Sequence, residues 1–169
     1  MLHSLGWRGA GCFHIFRMGI LRWILLTVAV CAVLAPGAHL LELPNKLALD
    51  GPLWLAVQQN LYRGWGPFVG APTQIAGLAL SSILAVWPRA RRRWPWLCAA
   101  AAYAAMIGVF FVFNAPVNAA VGGWTVDTLP ASWEEYRWQW EAGHALAAVL
   151  SLAALFAVLR GCFTARRVL

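Results

Sequence analysis

Apolar residues along this chain fall into four long runs, separated by short stretches that are polar or rich in aromatic residues. The runs cover roughly Ile20–Leu41, Pro67–Trp87, Trp94–Val117 and Ala142–Leu159. Each is close to the ~20 residues that a helix needs to cross the hydrocarbon core of a bilayer. The pattern predicts an all-α fold: an integral membrane, antiparallel four-helix bundle, with residues 1–169 forming a single transmembrane domain. The first run follows a long basic segment and has proline where a cleavage site needs a small residue, so it reads as a retained span rather than a removed leader.

The connections carry patterns of their own. Pro52–Tyr62 (PLWLAVQQNLY) has apolar residues near helical spacing, which predicts a short interfacial helix lying on the surface or folded back over the bundle. Ala131–Trp140 contains Ser132 with Glu135 three residues on, a capping-box pattern, so the last span is expected to begin there as an interfacial helix and continue inward. Gly143, Ala147 and Ser151 stand four apart and Ala99–Ala105 is rich in alanine; both permit close helix packing.

Composition agrees with the pattern: 62% of residues are hydrophobic and 11% charged, too few polar groups to cover a soluble domain of this length. The net charge of +7 would suit nucleic acid, but the arginines sit at the ends of the apolar runs: Arg8, Arg17 and Arg22; Arg89, Arg91, Arg92 and Arg93; Arg160, Arg166 and Arg167. That distribution follows the positive-inside rule, leaves no basic aqueous face for nucleic acid, and predicts cytoplasmic N- and C-termini in a bacterial inner membrane. Nine tryptophans (Trp23, Trp65, Trp87, Trp94, Trp96, Trp124, Trp133, Trp138 and Trp140) fall at expected span edges, where indole favours the headgroup region. Cys12, Cys31, Cys98 and Cys162 match neither a redox nor a zinc spacing and read as small apolar fillers.

Ionisable groups inside spans are costly and commonly functional. The first run carries His39 and Glu42, the last Glu141 and His144, each pair spaced i, i+3 and in reversed order. On antiparallel helices this brings all four toward one layer at the outer end, joined by Asn114 and Asn118 of the third run and Gln74 of the second. Two chemistries remain open. His39, Glu42, Glu141 and His144 could hold a single transition-metal ion with an open position. Alternatively the site holds no cofactor, and a histidine or glutamate acts as base while the asparagines donate to a developing oxyanion. A structural reading stands beside them: Glu42 pairs with Lys46, Glu141 with Arg137, and the histidines bond carbonyls freed by Pro36 and Pro116. Gln58 and Gln59 in the first outer loop fit solvation as well as substrate contact.

The stretch His39-Leu-Leu-Glu-Leu-Pro-Asn-Lys46, then Trp54-Leu-Ala-Val-Gln-Gln59, Asn114-Ala-Pro-Val-Asn118, and Trp133 with Arg137, Trp140, Glu141 and His144 resembles the anthrone oxygenase-like family of small four-helix membrane proteins. The resemblance covers about Gly37–Leu159. It implies oxidation of an apolar aromatic or quinone-like molecule with oxygen, described in the family without a cofactor. It also implies Asn114, Asn118, Arg137, Trp140, Glu141 and His144 as site residues, completed by His39 and Glu42. The expected partners are the lipid bilayer and an apolar small molecule. The competing reading is a non-enzymatic accessory or assembly subunit bound to other membrane subunits. A transporter is weaker, since no polar stripe runs the depth of any span.

Overall fold

The computed structural model describes the backbone of residues 6–87 and 92–164, with side chains over 19–87 and 92–163. The side chains of Arg8, Cys12 and Arg17, and residues Arg89, Arg91, Arg166 and Arg167, lie outside the described residues. The described residues are mainly helical, with no strand among them. Helix α1 spans Gly6–Leu47 and the short α2 spans Gly51–Ala56, extended by a π-turn over Val57–Leu61. A second π-turn, Gly66–Gly70, leads into α3 (Ala71–Val86). Helix α4 (Trp94–Val109) passes through a third π-turn, Phe110–Asn114, into α5 (Ala115–Val121), and α6 spans Trp133–Thr164.

Four stretches are long and apolar enough to cross a membrane: Gly19–Leu47, Gly66–Val86, Trp94–Val121 and Trp133–Phe163. They close a ring in which α1 packs on α6, α6 on α4, α4 on α3 and α3 on α1. Large apolar side chains such as Leu34, Val86, Phe111, Val149 and Phe156 point outward and are exposed. The interior is filled instead by alanines and a few large anchors. This inversion suits a lipid surround, where close backbone approach rather than expulsion of apolar side chains from water drives helix association.

Two spans run further than the apolar runs suggest. Helix α1 continues past Leu41, through Pro36 and Pro44, to Leu47, because each proline costs one backbone bond while the polar end supplies other partners. Helix α6 starts at Trp133 and continues unbroken, as expected; the Glu135 amide, however, donates to the Ser132 carbonyl at 3.0 Å, where a capping box would use the Ser132 hydroxyl. The connection between the first two spans does fold back over the bundle. Asp50 caps α2 by accepting from the Leu53 amide at 2.9 Å, and Trp54 and Leu55 are buried in an outer core with Val117, Val121 and Trp140.

Tryptophan placement is mixed. Trp23, Trp94 and Trp138 are exposed at the bundle edges, whereas Trp96 and Trp140 turn inward and are buried. Trp96 lies on Gly161, with Arg22 over its face at 5.9 Å. A ring packed on glycine gains more contact than one left at the headgroup level. Cys31 and Cys98 are free thiols.

Candidate functional site

The end of the bundle away from the C-terminal end of α6 holds a buried polar cluster built chiefly by α1 and α6. His39, 2% exposed, is boxed by rings: its centroid lies 4.1 Å from His144, 4.5 Å from Tyr62, 4.7 Å from Trp140 and 5.7 Å from Trp65. Two helical turns beyond His39 on the same face, Lys46 reaches the centre of the cluster. Its Nζ donates to Glu141 Oε2 at 2.8 Å, lies 3.4 Å from His39 Nδ1, and sits over the Trp140 ring at 5.0 Å and the Tyr62 ring at 5.6 Å. Both members of this ion pair are buried.

The simple pairs expected along each helix, Glu42 with Lys46 and Glu141 with Arg137, do not form, because other partners lie closer. Glu42 accepts from the Tyr62 hydroxyl at 2.6 Å rather than pairing with Lys46. Arg137 donates to the Leu49 carbonyl at 3.0 Å and to Glu134 at 3.4 Å, and stacks 4.6 Å from Trp133. It ties the start of α6 to the end of α1. The carbonyls loosened by Pro116 are met by Gln139, which donates to Phe113 O at 3.2 Å and Val112 O at 3.4 Å, not by a histidine.

Burial and the Glu42 carboxylate push the Tyr62 phenol above its ordinary value of 10.0. The neutral form is thus the one the fold favours, and its contribution is lost only as pH climbs past the ordinary value. The absorbance difference at 295 nm between wild type and Tyr62→Phe is expected to show no ionisation step near pH 10. A step there would mean the Tyr62–Glu42 bond is absent in the membrane.

The Asn-x-Pro-x-Asn element serves Trp140. Asn114 Nδ2 donates to the Trp140 carbonyl at 3.0 Å, and Trp140 Nε1 donates to Asn118 Oδ1 at 2.9 Å. A donor pair aimed at one oxyanion is therefore not what the two asparagines form: Asn114 is committed to the backbone of α6, and Asn118 keeps its amide nitrogen free of α6. Gly143 makes this approach possible, since a Cβ there would lie 2.7 Å from Phe113 Cβ and 2.8 Å from Asn114 Nδ2. Gly143→Val is expected to destabilise the fold by about 1–3 kcal/mol through overpacking. Loss of near-ultraviolet tryptophan dichroism should accompany it as Trp140 loses both asparagines; an unchanged spectrum would contradict this packing.

A cavity of about 960 Å³ opens beside the cluster. His39, Asn114, Asn118, Trp140 and His144 line it, as do Gln58, Gln74, Tyr62, Arg63 and Trp65; Met106, Ile107, Phe110 and Ala147 form apolar wall. Ile75 of α3 and Phe111 of the π-turn after α4 belong both to its lining and to the exposed surface of the bundle. Glu42, Arg137 and Glu141 do not line it. Gln59 is occupied structurally, donating to Val121 O at 2.8 Å and Trp124 O at 2.9 Å, whereas the Gln58 amide nitrogen is buried without a partner. No family model matches this chain, and neither curated proteins nor solved structures include a match to it.

The metal set anticipated from the sequence is not assembled. Among the described residues no three His, Cys, Asp or Glu side chains come together as ligands. The physical reason is Lys46, whose ammonium lies against His39 and Glu141 where a cation would sit, while Glu42 is turned to Tyr62. Lys46, Tyr62 and Trp65 are the residues that reading missed as parts of the site. Lys46 follows His39 by seven residues, a same-face spacing that was legible; the nearer Glu42 at i−4 obscured it.

Proposed function

We propose that this is a membrane-embedded oxygenase-like oxidoreductase for an apolar aromatic or quinone-like molecule that enters sideways from the bilayer. The observation that carries this reading is the cavity, whose lining runs from the exposed apolar side chains of Ile75 and Phe111 to two adjacent histidines. Its volume suits one polycyclic molecule. The quoted motifs resembling the anthrone oxygenase-like family point the same way, and the clustering of arginines at one end supports cytoplasmic termini and an outward-facing site.

One of the two histidines accepts the acidic proton of the substrate, leaving an anion delocalised over the rings. Molecular oxygen then takes four electrons in all from the ring CH2 carbon: one oxygen atom becomes the new ring carbonyl, and the other leaves as water with the two hydrogens that carbon loses. Lys46 fills the place of a cation, which favours this route over one through a metal. The test is anthrone oxidation by protein reconstituted in nanodiscs, followed by oxygen uptake and the absorbance of anthraquinone. Uptake matched one-to-one by product, above that of empty nanodiscs, supports an enzyme. Background rates for anthrone and for simple hydroxyquinones would favour the accessory-subunit reading, in which the Lys46–Glu141 pair serves only to fix helix register.

A further inference from the structure

We infer that Lys46 is a positioning residue that holds His39 in its Nε2–H tautomer, making His39 a fixed hydrogen-bond donor to a carbonyl or phenolate oxygen of the cavity ligand. The inference rests on the aromatic-ligand reading above and names the group on that ligand which the site would grip.

A lysine ammonium has three N–H donors and no lone pair, so it can approach an imidazole nitrogen favourably only where that nitrogen is an acceptor. Lys46 Nζ faces His39 Nδ1 at 3.4 Å. A proton on Nδ1 would set two donors against each other. The competing group is Glu42, whose Oε2 lies 3.9 Å from the same nitrogen. That is beyond hydrogen-bond length, and the same oxygen already accepts from the Tyr62 hydroxyl at 2.6 Å. Glu141 Oε2, accepting a second N–H of Lys46 at 2.8 Å, fixes where the ammonium sits. A neutral His39 therefore carries its proton on Nε2, because the bond at one ring nitrogen dictates the state of the other.

That proton points to useful space. His39 lines the cavity while Lys46 and Glu42 do not, and Nε2 has no partner among the described residues. The adjacent His144 has no hydrogen-bond partner for its ring nitrogens among the described residues and also lines the cavity. It is free to act as the proton acceptor while His39 donates. One donor and one acceptor 4.1 Å apart between ring centroids, walled by Tyr62, Trp65 and Trp140, fit a planar aromatic ketone or quinone. A plain hydrocarbon would leave the His39 donor unmet, which costs affinity when the site is buried.

The experiment is nitrogen-15 magnetic resonance of histidine-labelled full-length protein in nanodiscs, with His39 signals assigned by their loss in His39→Gln. Wild type is expected to show the Nε2–H pattern in at least about tenfold excess, the effect of one charge-assisted bond. K46M/E141Q, which removes the pair without leaving a lone charge, should show both tautomers, and Lys46→Arg should keep one. Menadione should shift the His39 Nε2 signal, and 2-methylnaphthalene should bind about tenfold more weakly relative to its partition into lipid. A His39 Nδ1–H pattern in wild type, or an unchanged ratio in K46M/E141Q, overturns the inference; the wild-type spectrum alone decides if the variant fails to fold. Equal responses to both compounds overturn the carbonyl assignment while leaving an aromatic cavity. No response to either overturns that assignment together with the proposed function.

Discussion

Replacing Lys46 with methionine is expected to destabilise the protein by about 3–5 kcal/mol, the usual cost of removing one partner from a buried ion pair. Both side chains are at most 4% exposed. Glu141 has little else to rely on, since its Oε1 is buried without a partner and Oε2 is the atom that Lys46 meets. The carboxylate would be left charged and unpaired between helices, or would have to take up a proton. Removing both charges is a different case: K46M/E141L is expected to return to within about 1 kcal/mol of wild type, because a desolvated pair is often no more stabilising than apolar residues of similar volume. Reversible unfolding in bicelles measures all three proteins. Equal losses in the single and double variants would show that the lysine contributes by packing alone.

His144→Ala is expected to lower turnover of an anthrone by about 10²–10⁴-fold, the range for removing a general base. Its effect on stability should be small by comparison. Among the described residues the His144 nitrogens have no hydrogen-bond partner, and its ring contacts are with His39 and Trp140. Asn118→Ala offers the contrast: it removes the acceptor for Trp140 Nε1 and should cost both stability and activity. A His144→Ala protein that keeps wild-type turnover in the oxygen-uptake assay would move the base to another residue.

The bundle was readable because length and hydropathy alone decide whether a helix can span, and the apolar runs were long and cleanly separated. Their ends were less so. Leu41–Leu47 looks like a loop by its proline and charges, yet remains helical because Glu42, Lys46 and the Leu49 carbonyl all find partners across the bundle. Reversed spacing placed His39 and His144 in one layer, and they do meet. Pairing was misread for a consistent reason. Spacing along one helix names Glu42 as the partner of Lys46 and Arg137 as that of Glu141, but it says nothing about Tyr62 or about the lysine crossing between helices. Trp140 looked like an interfacial anchor by composition; two asparagines and a glycine on facing surfaces draw it inside. The cavity itself has no one-dimensional signature, since Ile75, Phe111 and His39 become neighbours only when three helices close around it.

Photolabelling with a lipid-soluble aromatic ketone in nanodiscs, followed by mass spectrometry of the peptides, tests directly whether the outer cavity is a ligand site. Labels are expected on Ala35–His39, Phe110–Asn118 and Trp140–Ala147, reduced by competing menadione. Labels scattered over the lipid-facing surface at Leu34, Val86, Val149 and Phe156, and indifferent to competitor, would contradict it.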